Sequence, residues 1–245
     1  MRIGIDKGHA IKGVRGASAI LDEVNENRKI GNRLIEMLKE KGHTVVDCSC
    51  DVAYDVNEQL AGIVSRANRQ YLDLFVSIHL NSGGGHGTET YTLPNPNEST
   101  KAKAKAINDA VASSCGFSNR GLKTARFYVL RKTIAPAILV EVCFTDSQED
   151  ANKINVEAVA KALFKGITGT EYDGSSDSNP SAPAGYGIVT ASVLNVRKGA
   201  GTQYPVIGQL KKGDRVKLDV KVGQWWSTYY GEHGGFVHGN YILVN

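Results

Sequence analysis

The sequence predicts an α/β domain, a mostly parallel sheet flanked by helices, followed by a small all-β barrel. Three observations lead there. Over residues 1–171, short apolar runs alternate with stretches of helical period, the pattern of a sheet covered by crossover helices. Residues 171–185, EYDGSSDSNPSAPAG, carry one tyrosine as their only large apolar side chain. They cannot bury enough surface to offset the entropy of ordering, so they read as a flexible linker. Residues 186–245 have no helical period and break into five or more short runs separated by turn residues. The predicted boundaries are a first domain at 1–171, a linker at 172–185 and a second domain at 186–245.

Each element has its own reason. RIGID (2–6) is a short apolar strand that runs into the glycine-rich loop KGHAIKGVRGA. Residues 22–41 place Val24, Ile30, Leu34, Ile35 and Leu38 mostly on one helical face, and Gly42 stands just past the end, where a left-handed cap is favoured. HTVVDCS (43–49) reads as a strand, and 57–70 as a helix through Leu60, Ile63, Val64 and Ala67. LFVSIHL (74–80) is nearly continuously apolar, as expected of a strand buried on both faces. TETYTL (88–93) is a strand, 98–115 a helix, RFYVL (126–130) and AILVEVCF (137–144) strands, and 149–166 a final helix. In the second domain VLNVR, VIGQL, RVKLDV, WWSTYY and GGFVHGNYI read as strands of a small barrel.

Composition narrows the function classes. The chain has 245 residues, 41% hydrophobic and 22% charged, as in an ordinary globular protein. No apolar run reaches the length of a membrane span. The N-terminus lacks the basic-then-apolar pattern of a secretory signal, so synthesis in the cytoplasm is expected. Cys48, Cys50, Cys115 and Cys143 have no ligand spacing and are expected to be free thiols. Residues 1–184 balance 22 Lys/Arg against 22 Asp/Glu, whereas 185–245 hold 7 against 3. The second domain therefore suits polyanionic partners such as anionic wall polymers. The neutral first domain, without a long basic run, argues against nucleic acid.

In an α/β sheet, ligands gather beyond the carboxyl ends of the strands. The loop after strand 2–6 presents His9, strand 74–80 ends on His79, strand 137–144 carries Glu141, and the helix at 22 opens with Glu23. Singly, three of these have ordinary roles: a loop histidine on a carbonyl, a first-turn acid facing the helix dipole, a hydrogen-bonded core histidine. Glu141 is different, because an acid inside AILVEVCF is either paired or left uncompensated. Two histidines and a glutamate are also the ligand set of many catalytic zinc sites.

The order GHA, GA, E-x-x-x-N, SIHLN, GTET and PAILVEVCF resembles the zinc-dependent N-acetylmuramoyl-L-alanine amidases of autolysins and endolysins, over about residues 1–167. The resemblance implies one Zn²⁺ held by His9, Glu23 and His79, with Glu141 as the catalytic acid/base. Asn81 suits a contact with substrate or a prop for the site's geometry, and equally a turn. Two positions depart from the family's usual pattern: Ala10 and Val142-Cys143 replace frequent glycines. Neither removes a ligand. The pattern L-N-V-R-x-G-x-G-T-x-Y-x-V-I-G-x-L-x-x-G resembles a bacterial Src-homology-3-like wall-binding domain over about 188–243. Adjacent residues of a strand face opposite sides, so of Trp225 and Trp226 one is core and the other a candidate platform for sugar or peptide.

The implied function is hydrolysis of peptidoglycan at the bond between N-acetylmuramic acid and L-alanine, as a phage or prophage endolysin acting on Gram-positive walls after release. Two alternatives stand: a zinc peptidase or carboxypeptidase that would share these four residues and cut within the stem peptide, and a non-catalytic wall-binding protein.

Overall fold

The computed structural model describes residues 1–173, 186–228, 230 and 234–244. The chain divides into two units, one ending at Asp173. Most of the predicted linker, residues 174–185, lies outside the described residues, as do Tyr229 and His233.

The first unit runs, in chain order, β1 (Arg2–Asp6), β2 (Lys12–Gly13), α1 (Glu23–Glu40), β3 (Thr44–Asp47), β4 (Val52–Ala53), α2 (Val56–Asn68), β5 (Leu74–Asn81), β6 (Thr88–Thr92), α3 (Glu98–Cys115), β7 (Asn119–Thr124), α4 (Tyr128–Lys132), β8 (Ala137–Phe144), α5 (Gln148–Lys153) and α6 (Val156–Thr168). Six strands form one sheet in the order β3-β1-β5-β8-β6-β7. Its pairings are parallel except β6 with β8. A small parallel ladder joins β2 to β4.

Helices cover both faces. On one face Ile30 and Leu34 of α1, Val111 of α3 and Phe164 of α6 pack on Ile3, Ile5, Ile78 and Val140. On the other, Ile63 and Val64 of α2 and Val129 and Leu130 of α4 pack on Phe75 and Leu139. This is why β5 and β8 are continuously apolar: both sides of each strand are interior. Strand alternation then fixes where the polar residues go. His79 shares a side with Phe75, and Glu141 a side with Leu139, so both project on the face covered by α2 and α4.

Three expectations are corrected. RFYVL is not a strand: Phe127 precedes the short helix α4, which turns the adjacent residues Val129 and Leu130 into the same core cluster. Five apolar residues fit a strand or one helical turn equally well, and packing decides. The helix expected at 149–166 is two helices, with Asn155 capping α6 through a side-chain bond from Ala158 N. The edge strand β7 was not expected, because NRGLKT has neither an apolar run nor clean alternation.

Helices α3 and α6 meet at Gly166, where a Cβ would lie 2.4 Å from Ile107 Cα. Gly166→Ala is expected to destabilise by about 1–2 kcal/mol, overpacking outweighing the gain in helix propensity. Thermal unfolding should fall by several degrees; an unchanged or higher midpoint would contradict this packing.

The second unit is an antiparallel all-β sheet of β9 (Tyr186–Val189), β10 (Val193–Arg197), β11 (Val206–Lys211), β12 (Arg215–Val222), β13 (Trp225–Thr228), β14 (Gly235–His238) and β15 (Ile242–Val244), in the order β11-β10-β14-β13-β12-β9-β15. β9 was not among the expected strands. Val189, Val196, Leu218, Trp226 and Val237 form its core. Among the described residues no helix is long and apolar enough to cross a membrane.

Candidate metal centre and its cleft

His9 reaches the site through an unusual backbone. Gly8 (φ 42°) and His9 (φ 55°) are consecutive left-handed residues, a conformation that side chains disfavour. Gly8 has no substitute here: a Cβ would lie 2.7 Å from Ile78 O and 2.8 Å from His79 Cε1. Gly16 likewise leaves room for the acid opposite, since a Cβ there would stand 2.2 Å from Glu23 Oε2.

Glu23 opens α1, with Asp22 as the N-cap accepting from Asn25 N. The helix start aims its carboxylate inward, where it is 3% exposed. Oε1 lies 3.1 Å from His9 Nε2 and 3.1 Å from His79 Nδ1 and accepts from Leu80 N; Oε2 accepts from Ala17 N. The three residues each offer one ligand atom, and these lie within 4.8 Å of one another. The two imidazoles meet edge to face, 4.9 Å between centroids. Chain segments 9, 23 and 79 thus converge on one point.

Glu141 stands opposite His79 in the parallel β5–β8 ladder. Its Oε2 is buried without a hydrogen-bond partner, and burial pushes its carboxyl up to about 7. Asp6 closes β1 on the same side, accepts from Ser77 Oγ at 2.6 Å, and keeps Oδ1 unpartnered. Burial raises its carboxyl too. These groups floor a cleft of about 430 Å³ whose apolar wall includes Leu60, Ile63, Phe127 and Val129.

The electrostatics ask for positive charge. Burial alone would raise the Glu23 carboxyl, but its hydrogen bonds to the two imidazoles hold it well below the usual range. Burial alone would depress His79, but the Glu23 hydrogen bond and the charges of Glu141, Glu23 and Asp6 push it up to about 9. Three carboxyls around two imidazoles, Asp6 and Glu23 buried and Glu141 half-buried, recruit a proton to His79. The same field and the same donor set, two nitrogens and a carboxylate, fit a divalent cation such as Zn²⁺.

Asn81 ends β5 turned toward β6 and the following loop. Its Nδ2 donates to Glu89 Oε1 at 2.9 Å, and its Oδ1 accepts from Ser82 N. Glu89, opposite Glu141 in the β6–β8 ladder, also accepts from Tyr91, Arg120 and Lys123. Sequence reasoning passed over Asp6 and Glu89. The available signal was the one that found Glu141, an acid within or closing an apolar strand. Burial would raise the Glu89 carboxyl, but the hydrogen bonds outweigh it and hold it at about 2. A depressed folded-state value means stability present above the unfolded value and lost as pH falls from about 4.5 toward 2. Allowing for solvent at the partly exposed Arg120 and Lys123, about 1–2 kcal/mol is expected. Denaturant titrations at pH 5 and pH 3 should show the gap between the parent chain and Glu89→Gln shrinking at low pH; an equal gap would contradict the assignment.

In the second unit Trp226 is core, 7% exposed. That removes it as a surface platform. Trp225 faces the other way, half-buried, its ring edge-to-face with His238, which in turn lies beside Tyr241. The four cysteines are free.

The profile of the N-acetylmuramoyl-L-alanine amidase family matches residues 3–170, and that of the bacterial SH3 domain residues 192–242. An uncharacterized protein of Clostridium perfringens is 31% identical over 89% of this chain and 68% of its own length. The N-acetylmuramoyl-L-alanine amidase CwlM of Bacillus licheniformis is 31% identical over 68% of this chain and 65% of its own. The solved catalytic domain of the CD27L endolysin targeting Clostridia difficile superposes with a TM-score of 0.63 at 27% identity, covering 70% of this chain and 98% of that one.

Proposed function

This chain belongs to the N-acetylmuramoyl-L-alanine amidase family, and we propose that His9, Glu23 and His79 hold one Zn²⁺ beside Glu141 for hydrolysis of peptidoglycan. The chain is a peptidoglycan hydrolase of amidase type. The bond cut joins the lactyl carbonyl of N-acetylmuramic acid to the nitrogen of L-alanine. The observation that carries the reading is the ladder pairing of His79 with Glu141, which sets a buried carboxyl next to the ligand trio.

That amide is resonance-stabilised and a weak electrophile. When bound, the ion supplies Lewis acidity for the carbonyl and for the attacking water. Glu141 takes a proton from the water as its oxygen bonds to the carbonyl carbon, then passes it to the departing alanine nitrogen as the C–N bond breaks. Its unpartnered Oε2 is free to accept the proton. Asn81, bonded to Glu89, braces the β5 end beside the site.

The second unit is the wall-binding module, with Trp225 as its aromatic contact and its basic surplus suited to anionic wall polymers. Tethering it to the hydrolase raises the enzyme's local concentration on an insoluble substrate. Likeness to an endolysin catalytic domain supports a lytic role, with action on the wall after release from the cell that makes the protein.

Mass spectrometry of digested Gram-positive peptidoglycan tests the bond. New N-terminal alanine on the stem peptides, with the muramyl lactyl carboxylate freed, is the expected result. Cleavage inside the stem, with the muramyl–alanine link intact, would make the chain a peptidase instead.

A further inference from the structure

We propose that Arg28 is a positioning residue for the metal centre: its guanidinium locks the left-handed loop that aims His9 at the cation. The inference rests on the reading that His9, Glu23 and His79 are the ligands.

Arg28 projects from α1, five residues after Glu23. Its Nη1 donates to the carbonyls of Lys7 and of Gly8, the latter at 2.9 Å, and its Nη2 donates to the carbonyl of His9 at 2.7 Å. The far side of the guanidinium is tied to Asp51, Nε at 3.1 Å and Nη2 at 2.8 Å from Oδ1. The side chain is 11% exposed. Three successive carbonyls therefore converge on one cation. Their dipoles repel one another, and two of them belong to the left-handed pair Gly8-His9. Histidine enters that backbone more often than most side chains do, yet extended conformations still cost less. An extended His9 would swing its Nε2 away from Glu23. The guanidinium stabilises the convergent form and no other, and Asp51 fixes the guanidinium's plane. Lysine cannot replace it, since one ammonium does not span three carbonyls and Asp51 in a planar fork.

Asn27 and Arg28 divide the work on this helix. Asn27 is fully buried under Gly8, its amide unpartnered among the described residues, whereas Arg28 reaches around the loop to its backbone.

The test is zinc affinity of the full chain by chelator competition, with thermal unfolding of each metal-free variant alongside. Arg28→Ala should weaken zinc binding by about 10–100-fold, the usual cost of losing a group that orients a ligand. Arg28→Lys should lose most of that, and Asp51→Asn a smaller share. In a His9→Ala background, Arg28→Ala should cost less than twofold further, because the ligand it positions is gone. Parent-like affinity in Arg28→Lys and Arg28→Ala would overturn the proposal. So would an equal loss with and without His9, which is the mark of general destabilisation. If Arg28→Ala does not fold, Arg28→Lys and Asp51→Asn decide by the same cycle. Failure of the parent chain to bind zinc, or of His9→Ala to weaken it, overturns the ligand assignment itself and the proposal with it.

Discussion

Glu141→Gln should lower the rate of amide cleavage by about 10²–10⁴-fold while leaving zinc content and wall binding as they were. The substitution keeps size and shape and removes the one group placed to carry a proton between water and leaving nitrogen. It should also do something a structural residue does not. The carboxyl's Oε2 is buried without a partner, and burial pushes it up to about 7. A carboxyl raised in the folded state contributes stability below its unfolded value and takes it away as pH climbs through the folded one. At pH 8 the ionised Glu141 therefore strains the metal-free fold, and a neutral amide relieves it. The metal-free variant should melt at the parent temperature or above. Loss of activity with no loss, or a gain, of stability is the signature of a residue kept for chemistry. A variant that stays fully active removes Glu141 from the mechanism. One that loses activity only in step with a lower melting temperature makes it a packing residue.

Much of this site was legible in the sequence because strands have a period of two and a direction. Once RIGID, LFVSIHL and AILVEVCF are parallel neighbours, His79 and Glu141 have to share a face, and the loop after the first strand has to lie at the same edge. Glu23 needed only a helix start aimed back at that edge. The rest was set by contacts that no local pattern carries. RFYVL became a helix because Val129 and Leu130 are adjacent and both buried, which a strand with one covered face cannot do. Asn81 had three readings, a substrate contact, a prop for the site and a turn residue, and only the fold shows that its amide bonds to Glu89 and Ser82. Arg28 carries no signal in the sequence; its meaning comes from three backbone carbonyls whose convergence depends on two torsion angles. Of the tryptophan pair, alternation required one inside and one outside, but only the sheet's packing shows that Trp226 is the inner one.

The stabilisation conferred by zinc should grow as pH rises from 6.5 to 9, and this follows from the same crowd of carboxyls. Without the ion, Asp6, Glu23 and Glu141 face His79, whose imidazole is pushed up to about 9 despite its burial. A histidine raised above its unfolded value of 6.5 contributes stability that is complete below 6.5 and is lost as pH passes 9. The raised Glu141 adds to the trend from the acid side. The metal-free chain should thus lose about 2–3 kcal/mol across that window. With zinc bound, His79 is a neutral ligand and the ion itself balances the carboxyls, so the loaded chain should be nearly flat over the same range. Proton and zinc compete for one imidazole, which also means that zinc affinity falls as pH drops below 9. Melting curves with zinc and with a chelator, taken from pH 6 to 9.5, read the gap directly. His79→Ala removes the proton site and the ligand together: its two curves should coincide at every pH and its activity should vanish. A gap in the parent chain that stays constant with pH would mean that the carboxyls do not act on His79 as the geometry requires.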